Sequence, residues 1–128
     1  MVEESKTIDG MVLPKDNKIG PNCGVTAVAV MAGTSYAEAE RVIRSLGRFT
    51  RRWKGGTNHE LRREALKILG HELIDIEVPR CTMQTFVRKY ARPGVRYMVR
   101  TTGHVQVVKD GYLLDQLGCY RVTGLRPQ

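Results

Sequence analysis

No stretch of this sequence is long and apolar enough to cross a membrane. The longest apolar run, Val25 to Ala32, is interrupted by Thr26 and falls far short of the roughly 20 residues a spanning helix needs. The polar, acidic start MVEESKTIDG has no basic segment followed by an apolar one, so it does not read as a secretory signal. No internal repeat and no low-complexity tract interrupts the chain. These absences point to action in the cytosol. The three cysteines, Cys23, Cys81 and Cys119, are widely spaced with no CxxC pair. A zinc knuckle is therefore a poor reading, and a reduced cytosolic protein is a simpler reading than one disulfide among the three; no metal or organic cofactor is expected for the chemistry argued below.

What is present suits one domain. The chain has 128 residues, 41% of them hydrophobic and 27% charged, enough for a core without staples. Residues 1–128 are read as a single unit. The formal net charge is +8, and much of the excess lies between Arg41 and Lys67, where only Glu60 and Glu64 oppose it. Such a segment attracts nucleic acid or an acidic protein surface; equally, it can be a solvated face that keeps the protein soluble. Aromatics make up only 6% of the chain, and its single tryptophan, Trp53, falls in the basic run RRWKGG. There it can stack on a base or insert into a partner, although a lone Trp more often covers part of a core.

Residues 1–20 read as an irregular lead-in. A helix apolar on nearly every side, hence central and buried, is expected from Cys23 to about Ala32, with Gly33 as its stop. Ser35 and Glu38 form a capping box for a second helix ending at Gly47, and Thr57 and Glu60 repeat that signal for a third that ends before Gly70. A strand is expected over His71–Val78. A short helix capped by Thr82 runs to Tyr90, and a half-buried strand covers Arg96–Thr101. From His104 to Leu117 two β-rich runs flank Asp110-Gly111, a strong two-residue hairpin signal. The fold class is α+β, with N-terminal helices packed on a C-terminal antiparallel sheet.

Cys23 follows Gly20-Pro21-Asn22 and opens the buried helix. A helix N-terminus offers unpaired N–H groups and the positive dipole end, which favour the reactive thiolate. Gly24 removes bulk beside the sulfur, where a substrate carbonyl would approach. The plain alternative is a buried, inert cysteine. Cys81, near the short fourth helix, is the only rival nucleophile, and Cys119 reads as structural. His59 and His71 read as exposed polar residues at the two ends of the third helix.

His104 opens a strand. A two-residue turn at Asp110-Gly111 makes Gln106 face Asp115, so His104 and Asp115 become diagonal neighbours on one face. That pairing suits a Cys–His enzyme, in which one ring nitrogen takes the thiol proton while a carboxylate orients the ring. An ordinary hairpin carrying a His and an Asp remains the alternative, and a one-residue change of turn would separate them.

The order Cys at a helix start, then His, then Asp on a late hairpin resembles the papain-like cysteine peptidases. Closest are the compact forms, including bacteriocin-leader peptidases and small papain-like proteins encoded by bacteriophages. The matching segments are NCGVTAVAVMAGTSYAEAERVI, GGTNHELRREALKILG and TMQTFVRKYARPGVRYMVRTTGHVQVVKDGYLLD, covering about residues 17–115. The resemblance implies a papain-like fold and a Cys23–His104–Asp115 triad that cleaves a protein or peptide through a thioester, and the basic charge suits an acidic substrate. For a phage protein, the host cytoplasm is the place of action. It also implies an oxyanion-stabilising side chain six residues before the cysteine, usually Gln and here Asn17, acting with the Cys23 N–H. Deamidase or transglutaminase chemistry would use the same acyl-enzyme step. A different class of reading is a non-catalytic basic module on a degenerate papain-like fold, docking on a host protein or on nucleic acid.

Overall fold

The computed structural model describes residues 7–8, 11–47, 56–101 and 104–122. Among these described residues, four helices and a four-stranded antiparallel sheet make an α+β fold. A two-stranded pair comes first, β1 (Thr7–Ile8) and β2 (Met11–Val12). Helices α1 (Cys23–Ala32), α2 (Tyr36–Leu46), α3 (His59–Ile68) and α4 (Met83–Lys89) follow. The sheet is the meander β3 (Tyr97–Thr101), β4 (His104–Lys109), β5 (Tyr112–Asp115) and β6 (Gly118–Arg121), in that spatial order.

Helix α1 is apolar all round because it lies between two layers. Val25, Val28 and Ala29 pack on Tyr36, Ala39, Val42 and Ile43 of α2 and on Ala65 and Leu66 of α3. Ala27 and Val30 pack on Val105, Val107, Leu114 and Cys119 of the sheet, together with Met11 and Leu13. Burial on both sides removes the polar face that a surface helix keeps. Gly33 ends α1 in the left-handed region at φ 70°, and the Arg96 guanidinium donates to the carbonyls of Val30 (3.0 Å) and Met31 (3.1 Å), a cation on the negative dipole end.

Local signals account for most boundaries. Ser35 Oγ accepts from the Glu38 N–H, and Thr82 caps α4 by accepting from Thr85 N–H. Asp16 adds a second clamp on α2, its carboxylate accepting from the N–H groups of Tyr36 (2.8 Å) and Ala37 (2.9 Å). Those bonds, Ala37's first and then Tyr36's, hold the Asp16 carboxyl below the usual carboxylate range. The β4–β5 turn has positive φ at both central residues, 51° at Asp110 and 81° at Gly111. This suits the right-handed twist of the flanking strands.

Four expectations are corrected. The capping residue of α3 is Asn58, whose Oδ1 accepts from Leu61 N–H; the Thr57 hydroxyl instead accepts from Arg62. Residues 71–79 form no strand. The segment is tied to α3 by Arg63 and His59, which both bond Asp75, so its backbone lies along the helix rather than at a sheet edge. Ile74 and Ile76 are left 74% and 55% exposed. The β1–β2 pair replaces the irregular lead-in, and β6 adds a strand beyond the expected hairpin. No helix among the described residues is long and apolar enough to cross a membrane.

Candidate active site

Cys23 is the first residue of α1 and is partly buried. Asn22 occupies the capping position, yet its side chain makes no capping bond. It is drawn inward instead: Asn22 Nδ2 donates to the Tyr36 hydroxyl, and Asn22 Oδ1 accepts from Gln116 Nε2. Gln116 Nε2 also donates to the Gly20 carbonyl at 2.9 Å. Asn22 and Gln116 are buried, at 4% and 9% exposure, so each satisfies the other where water cannot. Burial pushes the Tyr36 hydroxyl up, and the bond from Asn22 works against that. Because Asn22 is diverted, the first N–H groups of α1, those of Cys23 and Gly24, find no acceptor among the described residues. The first turn also carries no acidic residue.

This network joins the two ends of the site. Asn22 precedes Cys23 and Gln116 follows Asp115, so one buried amide pair holds the start of α1 against the β5–β6 turn. Asn17 strengthens the same junction. Its Nδ2 donates to the Gln116 carbonyl at 2.9 Å and its Oδ1 accepts from Thr26 Oγ1 at 2.7 Å. One N–H of the amide is therefore committed to the backbone, and the role visible for Asn17 is to tie the lead-in to α1 and to the sheet.

The hairpin register pairs Val107 with Leu114, Val108 with Leu113 and Lys109 with Tyr112, as a two-residue turn requires. His104 Nε2 lies 3.9 Å from Asp115 Oδ2, within reach of a charge interaction but too long for a hydrogen bond. Asp115 Oδ1 accepts from Leu117 N–H at 2.8 Å, which fixes the carboxylate. Strand alternation decides the faces. Val105 and Val107 press on α1, so His104 and Gln106 project from the opposite face of β4, at the end of the sheet where α1 begins. No hydrogen bond links the Cys23 thiol to the imidazole.

Against Gly24, the residue after Cys23, the structure places a side chain that the motifs did not single out. Arg62 of α3 is only 3% exposed. Its Nη1 donates to Thr57 Oγ1 (2.8 Å) and to the Thr57 carbonyl (3.2 Å), and its Nε is buried with no partner. Burial pulls the guanidinium below its ordinary value, the neighbouring Arg100 cation adds to that, and the Cys23 sulfur offsets part of it. The available signal was positional: Arg62 stands three and four residues before Ala65 and Leu66, on the buried stripe of α3.

The same contact corrects the reading of Gly24. A Cβ there would lie 1.9 Å from Thr57 Oγ1 and 3.3 Å from Arg62 Cδ. The space beside Gly24 is filled by α3's approach, not left open for substrate.

The remaining candidates fall elsewhere. Cys81 is exposed and lies before the Thr82 cap, outside α4. Cys119 is buried in the α1–sheet core, which pushes its thiol up to about 11, with Asp115 adding to the shift. His71 is exposed, but the His59 ring is bonded to Asp75 at 3.0 Å. In the basic segment, Arg41 and Arg44 pair with Glu38 and Glu40 of their own helix, so much of their charge is locally answered. Trp53 and the cations at 48–54 lie outside the described residues. A cavity of about 310 Å³ beside Asn22 is lined by Lys18 to Asn22, Tyr36 and Glu40, and includes none of the three candidate catalytic residues. Among the described residues no group of three His, Cys, Asp or Glu is placed to hold a metal. Compared with known proteins, the chain matches no family model, no curated protein and no solved structure.

Proposed function

We propose that this protein is a cysteine peptidase or related amide hydrolase of papain-like architecture, using Cys23, His104 and Asp115. The observation that carries the reading is the buried Asn22–Gln116 bond. It brings a cysteine from early in the chain and a histidine–aspartate pair from late in it to one end of the sheet. Three features support the chemistry. The thiol opens a helix whose first N–H groups are unclaimed, which suits both a thiolate and an oxyanion. His104 presents Nε2 to Asp115, leaving Nδ1 for the thiol. The carboxylate is anchored by Leu117 N–H.

In the proposed reaction the Cys23 thiol passes its proton to His104 Nδ1 and the sulfur attacks the amide carbon. The oxyanion forms at the N–H groups of Cys23 and Gly24. The C–N bond breaks as the imidazolium returns the proton to the leaving amine, and water then releases the acid from the thioester. His104 projects from the face of β4 turned away from α1, so the ring must swing round the end of the strand, the backbone at the start of β4 moving with it, before Nδ1 can meet the sulfur. Catalytic hydrogen bonds that are open in a free enzyme commonly close only in the complex.

Alkylation by iodoacetamide near neutral pH tests the nucleophile, read at each cysteine by peptide mass mapping. Cys23 is expected to react faster than exposed Cys81, and His104→Gln is expected to slow Cys23 alone. A Cys23 rate no greater than that of an unfolded thiol overturns the proposal. The alternative, a basic binding module on a degenerate papain-like fold, draws on one observation, the missing thiol–imidazole bond. It predicts that Cys23→Ala leaves the protein's biological effect intact.

A further inference from the structure

Arg62 is a cation with no anion. It is almost fully buried, and among the described residues no carboxylate comes within ion-pairing distance of it or of Arg100. Burying an unpaired charge is costly, and α3 bears that cost beside the residue that follows Cys23. Arg100 increases it. Arg100 pairs with Val105 across the β3–β4 ladder, so it shares the sheet face that Val105 turns toward α1, and unlike Arg62 it is exposed. One cation therefore sits behind the start of α1 and a second stands at the surface near it. The helix contributes the unclaimed N–H groups of Cys23 and Gly24 and its positive dipole end. The buried, unpartnered Nε of Arg62 is a second, independent feature calling for negative charge at the same place.

We infer that Arg62 and Arg100 form a carboxylate subsite beside Cys23, so that the substrate is an acidic peptide carrying a carboxylate next to the bond attacked. This rests on the proposed use of Cys23 as nucleophile and names the substrate class for it. Arg100 meets the carboxylate at the surface. Arg62 acts from behind, through a medium of low polarity in which charge carries further than in water.

The test compares iodoacetate with iodoacetamide, two alkylating agents of similar size that differ by one negative charge, on the full-length protein at low salt. Exposed Cys81 serves as internal reference. The iodoacetate-to-iodoacetamide rate ratio at Cys23 is expected to exceed that at Cys81 by about tenfold, the scale of one or two cations acting across a partly desolvated gap. It should fall toward the Cys81 value in Arg62→Met and in Arg100→Gln, and persist in His104→Gln. Arg100→Gln alters an exposed side chain and keeps the test valid if Arg62→Met fails to fold. A ratio at Cys23 equal to that at Cys81, or one that collapses only in His104→Gln, overturns the subsite. The iodoacetamide rate alone reports whether Cys23 is a nucleophile, so the two claims fail separately. Protection of Cys23 by blocked peptides identifies the source of the carboxylate. One peptide carries an internal Glu and an amidated end, one is neutral with a free C-terminus, and one is fully neutral. Preference for the first assigns a flanking acidic side chain and preference for the second a chain terminus. No preference for either over the neutral peptide overturns the proposal.

Discussion

The surroundings of Cys23 and those of His104 differ in how firmly they are held. Around Cys23, buried Asn22, Gln116 and Tyr36 are locked by bonds that cross from the lead-in to α2 and the β5–β6 turn, and buried Arg62 is held to Thr57 just ahead of α3. Around His104 there is, among the described residues, one long charge contact to Asp115, and the imidazole side chain is 38% exposed. A polar group removed from water must be satisfied by protein, so burial dictates a single arrangement. An exposed imidazole has water as an alternative partner and can rotate at little cost. The firmly held half thus carries the thiol and the unclaimed N–H groups of α1, while the loosely held half carries the imidazole.

That contrast breaks most easily at Gly24. Gly24→Ala forces a Cβ into Thr57, and overpacking of this kind should cost about 2–3 kcal/mol in a urea unfolding curve. Loss of less than half that would show that α3 can move away from α1. Next in size, Asn22→Ala or Gln116→Ala leaves a buried partner unsatisfied and should cost about 2 kcal/mol. Because the two share one bond, the double variant should cost clearly less than their sum.

Asp16→Ala, which removes the second clamp on α2, should cost about 1 kcal/mol. Its pH dependence has a definite sign. The folded-state carboxyl is held below its ordinary value of 3.8. The clamp's contribution is therefore whole above that pH and is lost as pH falls through the lower, folded value. Wild type and Asp16→Ala should converge in stability in strong acid and separate above about pH 4. The smallest effect is expected at the loose end. Asp115→Asn keeps the acceptor for Leu117 N–H and gives up only the 3.9 Å charge contact, so stability should change by about 0.5 kcal/mol or less. A larger loss would mean that the imidazole end is as firmly built as the thiol end.

Particular elements show where reading the sequence succeeded and where it stopped. The Asp110-Gly111 turn was legible because a two-residue loop with φ above zero at both positions admits few residue types. Its register then put His104 beside Asp115 without further information. The expected strand at 71–78 failed because Leu73, Ile74, Ile76 and Val78 have strand-like composition, yet a strand exists only if an edge accepts it. Here Arg63 and His59 hold Asp75 against α3 instead. The short β1–β2 pair has a signal of its own, Asp9-Gly10 between Thr7-Ile8 and Met11-Val12, but two-residue strands are too short for alternation to set them apart from an irregular lead-in. Thr57 and Asn58 are both good capping residues in adjacent positions, and the choice between them turned on Arg62, which claims the Thr57 hydroxyl.

By itself the sequence determined the helices, most of their caps, the hairpin and the candidacy of Cys23, His104 and Asp115. Those features depend on contacts within a few residues along the chain, where residue type and spacing leave few alternatives. Only the tertiary structure decided that Gly24 makes room for α3, that Arg62 is buried with no counter-charge among the described residues, and that Asn22 abandons its cap for Gln116, 94 residues away. Each depends on which surfaces meet, and no local propensity encodes that.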